Sequence, residues 1–228
     1  MEKNQYKLCI EVLKRLEKSG VLKQIVLIGS WCIPFYKEYF SGVKFLTSIR
    51  TRDIDFLIPN PSKIAGHVDI AELMKDLGFI VGYKGSKGVI KLEHPDLAIE
   101  FLVPEKGRGT NEPYPLPELG VNAQALRFLN FLTDGVVTVE IENIALTIPH
   151  PINFALHKLI IFQRRKNDDK AQKDMESALR ILKAVVEKGE TDIMVAKFNG
   201  IPKGWQQKIL MGLKKAGDSA ILDILKQR

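Results

Sequence analysis

Cysteine is nearly absent from this chain: Cys9 and Cys32 are the only two in 228 residues. Such a pair gives no basis for a disulfide framework, its spacing is not that of a zinc site, and a reducing, cytoplasmic compartment is the simpler setting. Long apolar runs are missing too. None approaches the roughly 18 residues needed to span a bilayer, and Met1-Glu2-Lys3-Asn4-Gln5 lacks the apolar segment of a signal peptide, so no membrane partner is expected. The four histidines (His67, His94, His150 and His157) show no ligand spacing. There is no internal repeat and no low-complexity segment. What remains is ordinary globular composition, 45% hydrophobic and 27% charged, in a chain long enough for one large domain or two small ones. The net charge of +7 suits an acidic partner such as RNA or a polyanionic nucleotide, or simply a well-solvated Lys-rich surface.

Two short stretches stand out from this background. Ile25-Val26-Leu27-Ile28-Gly29-Ser30 is an apolar run that stops at Gly-Ser, the pattern of a buried strand feeding a tight turn into a helix. Such a turn offers backbone N–H groups to a phosphate. Thr51-Arg52-Asp53-Ile54-Asp55-Phe56 alternates, so that Asp53 and Asp55 project from one face of a strand and Ile54 and Phe56 from the other. Adjacent carboxylates repel, and folding alone gives no reason for them. A divalent cation does, because Mg²⁺ takes hard oxygen ligands and bridges them to phosphates.

Along the chain, helical spacing is read over 6–20, and a helix from about Ser30 to Tyr39 follows the apolar strand, with Ser30 as N-cap. Residues 43–50 read as a short strand or a loop. Beyond the Asp53–Asp55 strand come a helix near 63–77, strands at 79–81 and 88–92, and a strand at 97–103 that carries Glu100. A lone Glu in the middle of that apolar strand requires a partner. Residues 104–120 form a long Gly/Pro-rich loop, followed by a helix over 122–132 and a hairpin from Val136 to Ile148 with Glu142-Asn143 near its turn. Pro149-His150-Pro151 marks the best domain boundary. Beyond it the pattern is helical, over 152–165, 168–187, 191–199 and 203–228. The expected fold is α/β (α+β), a short mixed sheet flanked by helices in residues 1–149, with a helical C-terminal domain in 150–228.

Asp53, Asp55 and Glu100 form the strongest set. Three carboxylates on two strands can hold two divalent cations, and in nucleotidyl transfer two metals activate the attacking oxygen and neutralise the departing pyrophosphate. The competing reading is a set of surface carboxylates paired with lysines.

On Leu27-Ile28-Gly29-Ser30, Thr51–Phe56 and Ile99-Glu100-Phe101, the chain resembles nucleotidyltransferases of the DNA polymerase β-like superfamily. A closer resemblance, to a bacterial family akin to AbiEii-type proteins, is carried by Pro117–Gln124, Pro149-His150-Pro151, His157-Lys158-Leu159, Arg164-Arg165 and Lys173-Asp174. The separation of Gly29 from Asp53 departs from the usual pattern and suggests an insertion near 37–48. The resemblance implies a catalytic and metal-binding set of Asp53, Asp55 and Glu100. It also implies nucleotide binding by Gly29, Ser30, Lys158, Arg165 and Lys173, with the helical domain closing a cleft. The implied cofactor is Mg²⁺ (two ions, or Mn²⁺ in their place). The implied partners are an NTP such as ATP and an RNA, protein or small-molecule acceptor. The alternatives are an inactive nucleotide- or RNA-binding module and the toxin half of a toxin–antitoxin pair.

Overall fold

The computed structural model describes residues 2–45, 51–105, 107 and 112–226. The readings of residues 46–50 and of part of the Gly/Pro-rich loop fall outside these. The described chain divides into two compact units, one of residues 1–35 and 48–149, the other of 36–47 and 150–228.

The first unit is a mixed sheet with helices, among them α1 (Glu2–Lys18) and the short α4 (Asn130–Thr133). Strands β1 (Val26–Ile28), β2 (Asp53–Leu57), β3 (Ile80–Lys84), β4 (Val89–Glu93) and β5 (Ala98–Pro104) lie in the order β1-β2-β5-β4-β3. The β2/β5 pair is parallel and the other neighbours on this path are antiparallel. Strand β5 is buried along its whole length, as expected of a central strand covered on both faces. One face packs Ile54, Phe56, Ile99 and Phe101, with the two phenylalanine rings stacked at 5.9 Å between centroids. On the other, Val26, Ile28, Leu57 and Leu102 meet Leu129 and Leu132. Each such side chain, fully buried, contributes about 1.5–3 kcal/mol relative to exposure.

Several elements differ from the sequence pattern. Residues 121–126 form a strand, β7 (Val121–Leu126), where the periodicity predicts a helix. It pairs with β5 in parallel and with the short β6 (Tyr114–Leu116) in antiparallel fashion. Asn122 anchors it, its side chain accepting from the Ile90 N–H at 2.6 Å and donating to the Gly88 carbonyl at 3.0 Å. These sheet contacts override the helical preference of its alanines. The helix expected near 63–77 contracts to α3 (Ile70–Met74), because Asp69 caps the Glu72 N–H and starts the helix there. The hairpin of β8 (Val136–Ile141) and β9 (Ile144–Pro149) turns at Glu142 and Asn143, both left-handed at φ 48° and 65°. That is the two-residue turn whose twist matches the strands.

The second unit is helical. Helix α5 (Pro151–Ile161) is buried on every side along 151–160, with His150 accepting the Ile152 N–H at 3.2 Å and proline at the first helical position. Helix α6 (Asp168–Glu187), capped by Asn167, packs on it through Ala178, Ile181, Leu182 and Val185. Helix α7 (Thr191–Asn199) follows. The final helical pattern splits into α8 (Lys203–Ala216) and α9 (Ser219–Lys226) at Gly217, which adopts φ 71°. Within this unit Tyr39 donates to Glu190 at 2.6 Å, and the Lys188 ammonium sits 3.7 Å from the Tyr39 ring centroid. This fastens residues 36–45 to the helical elements.

Candidate functional site

The carboxylates of the first unit share one face of the sheet. Period-two alternation in β2 buries Ile54 and Phe56 completely and leaves Asp53 and Asp55 half-buried on the opposite side. Parallel pairing sets Asp55 beside Glu100, and antiparallel pairing sets Glu100 beside Lys91 and Ile28 beside Asp55. A single row therefore crosses four strands as Ile28, Asp55, Glu100 and Lys91.

The Gly-Ser turn adjoins this row. Gly29 follows directly on β1 with φ 73°, and a Cβ at that position would lie 2.2 Å from Asp55 Oδ2. Only glycine lets the backbone run so close to the carboxylate in this conformation. Ser30 continues in a 3₁₀ turn, Gly29–Trp31, that leads into α2 (Cys32–Tyr39). Ser30 therefore lies inside the turn rather than at the N-cap.

Lysines balance the carboxylates. Lys91 donates to Asp53 Oδ1 at 2.7 Å and lies 2.9 Å from Glu100 Oε1, and Lys84 donates to Glu100 Oε2 at 2.6 Å. This supplies the partner that Glu100, only 5% exposed, requires. Burial opposes the charge on Lys91, but its bonds to Asp53 and Glu100 outweigh that and push the ammonium up to about 12. Both lysines escaped the sequence reading. The signal for Lys91 was there: it interrupts the apolar run Val89-Ile90-Lys91-Leu92 one strand away from Glu100. Among the described residues, no group of three or more His, Cys, Asp or Glu side chains is gathered as a metal-ligand set. The donor chemistry nevertheless suits a hard divalent cation: oxygens of two carboxylates converge on one cationic centre, the Lys91 Nζ.

In the second unit, Lys158 and Asp174 form a buried ion pair, their side chains 6% and 7% exposed. Arg165 adds a second bond to Asp174, from Nε to Oδ2 at 2.9 Å, and is 42% exposed. Helix α5 stops at Ile161, so Lys158 and Arg165 meet on Asp174 across the helix end and not along one helical face. Lys173 is exposed. Burial acts to raise the Asp174 carboxyl, but Lys158 and then Arg165 hold it below the usual carboxylate range. Beside them His157 is buried, and its Nε2 has no hydrogen-bond partner among the described residues. Burial, reinforced by the charge of Lys158, pushes its imidazole down to about 3, so it stays neutral. Tyr36 is wholly buried against Phe40 and Phe154.

Among the described residues, no helix is long and apolar enough to cross a membrane. No curated protein matches the chain. Of solved structures, the crystal structure of ANT(2")-Ia in complex with adenylyl-2"-tobramycin is 12% identical with a TM-score of 0.50, covering 85% of this chain and 97% of that one. A crystal structure of an antigenic nucleotidyltransferase-like protein from Paracoccidioides brasiliensis is 15% identical with a TM-score of 0.49, covering 95% of this chain and 92% of that one. The first likeness speaks for the α/β fold. A family model described as "Nucleotidyltransferase" matches residues 7–197, most of the chain, and the protein thus belongs to that nucleotidyltransferase family.

Proposed function

We propose that the protein transfers a nucleoside monophosphate from an NTP to an acceptor hydroxyl, with Asp53, Asp55 and Glu100 as the catalytic carboxylates. The observation that carries this reading is the contact between the two motifs: Gly29 runs against Asp55, in the same row as Glu100. A phosphate held by the Gly29–Ser30 turn would lie beside the carboxylates. In the reaction the acceptor oxygen bonds to the α-phosphorus, the bond from that phosphorus to the bridging oxygen breaks, and pyrophosphate leaves with the electron pair. The hydroxyl proton passes to a carboxylate or to water.

Asp53, Asp55 and Glu100 would hold Mg²⁺. Bound there, the metal would acidify the acceptor hydroxyl and neutralise charge on the leaving group. The chain's own contribution is to fix these carboxylates on rigid strands and to present the backbone of the turn to the triphosphate. For the helical unit, the resemblance offers Arg165 and Lys173, both exposed, as phosphate-binding cations. Lys158 would act on Asp174, and through it on Arg165. The AbiEii-type likeness and the use of ATP belong to the same proposal. So does the acceptor: the neighbour's adenylyl-tobramycin suggests small hydroxylated molecules alongside RNA and protein.

The test is incubation with each α-labelled NTP, Mg²⁺ and separated RNA, protein and small-molecule fractions. Label should pass to one fraction only when metal is present, and Asp53→Asn and Asp55→Asn should each prevent it. Undiminished labelling by both variants would contradict the assignment.

A further inference from the structure

The lysines around the carboxylates carry an inference that rests on the metal-binding reading above. Three of the four oxygens of Asp53 and Glu100 are engaged by ammonium groups: Asp53 Oδ1 and Glu100 Oε1 by Lys91, and Glu100 Oε2 by Lys84. Lys91 is held from below by its strand register opposite Glu100 and is only 19% exposed, whereas Lys84 is 49% exposed. A divalent cation at the same oxygens would stand within a few ångströms of the Lys91 ammonium, where like charges repel strongly in a partly buried site. The two cannot share Asp53 and Glu100 without loss.

We propose that Lys91 is a built-in counter-ion, occupying the metal-binding oxygens of Asp53 and Glu100 until a divalent cation displaces it. Displacement has somewhere to go. Glu93 lies two residues along the same strand and on the same face, and its carboxyl covers Gly82, where a Cβ would come within 2.9 Å of it. The consequence is a site with low affinity for free metal. It fills when an NTP brings its own divalent ion, and the released ammonium then faces a substrate that is rich in negative charge.

The experiment titrates the nucleotide-free, full-length protein with Mn²⁺ and follows free Mn²⁺ by electron paramagnetic resonance, a readout independent of turnover. Lys91→Met should bind Mn²⁺ about tenfold more tightly than the wild type, while Lys91→Arg, which keeps the charge, should stay within about threefold of it. Lys84→Met should give a smaller gain, because Lys84 touches Glu100 alone. Thermal melting establishes that each variant is folded, and Lys91→Gln carries the same expectation should Lys91→Met fail to fold. Equal or weaker Mn²⁺ binding by the neutral variants overturns the proposal, as does binding by neither them nor the wild type. A separate pair of variants isolates the reading beneath it. If Asp53→Asn and Asp55→Asn bind Mn²⁺ as well as the wild type, the carboxylates hold no metal and both ideas fall. If they bind less while Lys91→Met is unchanged, only the counter-ion role is lost.

Discussion

The two clusters of charge in this chain are built in opposite ways. Around Asp53 and Glu100 the partners are shared, Lys91 bonding both carboxylates and Lys84 the second oxygen of Glu100. Asp53 is 40% exposed and shares Lys91 with Glu100, so each pairing can be exchanged for another. Around Asp174 the cations outnumber the carboxylate, and Lys158 and Asp174 are both sealed from water. A cluster of shared partners, reached by water at Asp53, suits a site that takes and releases cations. A closed pair suits a strut, because parting two buried charges leaves one of them without solvation. The proposed function thus assigns the same residue types to chemistry where partners are shared and partly exposed, and to support where the pair is closed.

That contrast can be broken most sharply at Asp53. Asp53→Asn should cut nucleotidyl transfer by a factor of about 10³ or more, about 4 kcal/mol of transition-state stabilisation, with little change in melting temperature. Asp174→Ala should do the reverse at its own site, costing about 3–5 kcal/mol of stability in urea unfolding by stranding the Lys158 ammonium in the interior. Should Asp174→Ala prove as stable as the wild type, the strut description fails. Gly29→Ala combines a left-handed backbone with a contact against Asp55; the expected loss is about 1–3 kcal/mol in melting experiments, together with lowered activity.

Acid supplies a fourth test. His157 titrates near 3 in the folded protein and near 6.5 when unfolded. The unfolded chain therefore binds this proton first. Stability should hold above pH 6.5 and fall as pH drops towards 3, by up to about 1.4 kcal/mol per pH unit. The depressed Asp174 adds a further loss once pH passes below the ordinary carboxylate range. His157→Phe should flatten the part between pH 6 and 4, read from urea midpoints. The smallest effect belongs to the exposed Glu72–Lys75 pair, where Glu72→Ala should shift stability by less than about 0.5 kcal/mol.

Much of this architecture was legible in the sequence, for local reasons. Helix α6 follows the 168–187 periodicity to the residue because one apolar stripe decides it. The hairpin turns where Glu142-Asn143 sits, since asparagine tolerates a left-handed backbone. The α/β class follows from alternating strand and helix patterns in the first half, and the ANT(2")-Ia likeness agrees with it. Glu100 was legible because it interrupts an apolar strand, and Asp53 and Asp55 because folding alone gives no reason for two carboxylates on one face. Other features depended on distant partners. Residues 121–126 carry no strong strand preference and become β7 through β5, β6 and the Asn122 bridge to Gly88 and Ile90. The ammonium groups on Glu100 come from the neighbouring hairpin, and their pairing depends on strand register. The convergence of Lys158 and Arg165 on Asp174 likewise depends on where α5 stops, at Ile161, which helical spacing alone places too late.

The most direct measurement is pyrophosphate release from each NTP in Mg²⁺, with the acceptor fraction that becomes labelled, for wild type, Asp53→Asn and Lys158→Met side by side. Release should be robust for wild type and lost in folded Asp53→Asn, while Lys158→Met should lose stability before it loses turnover per folded molecule. Equal release by wild type and Asp53→Asn would contradict the account.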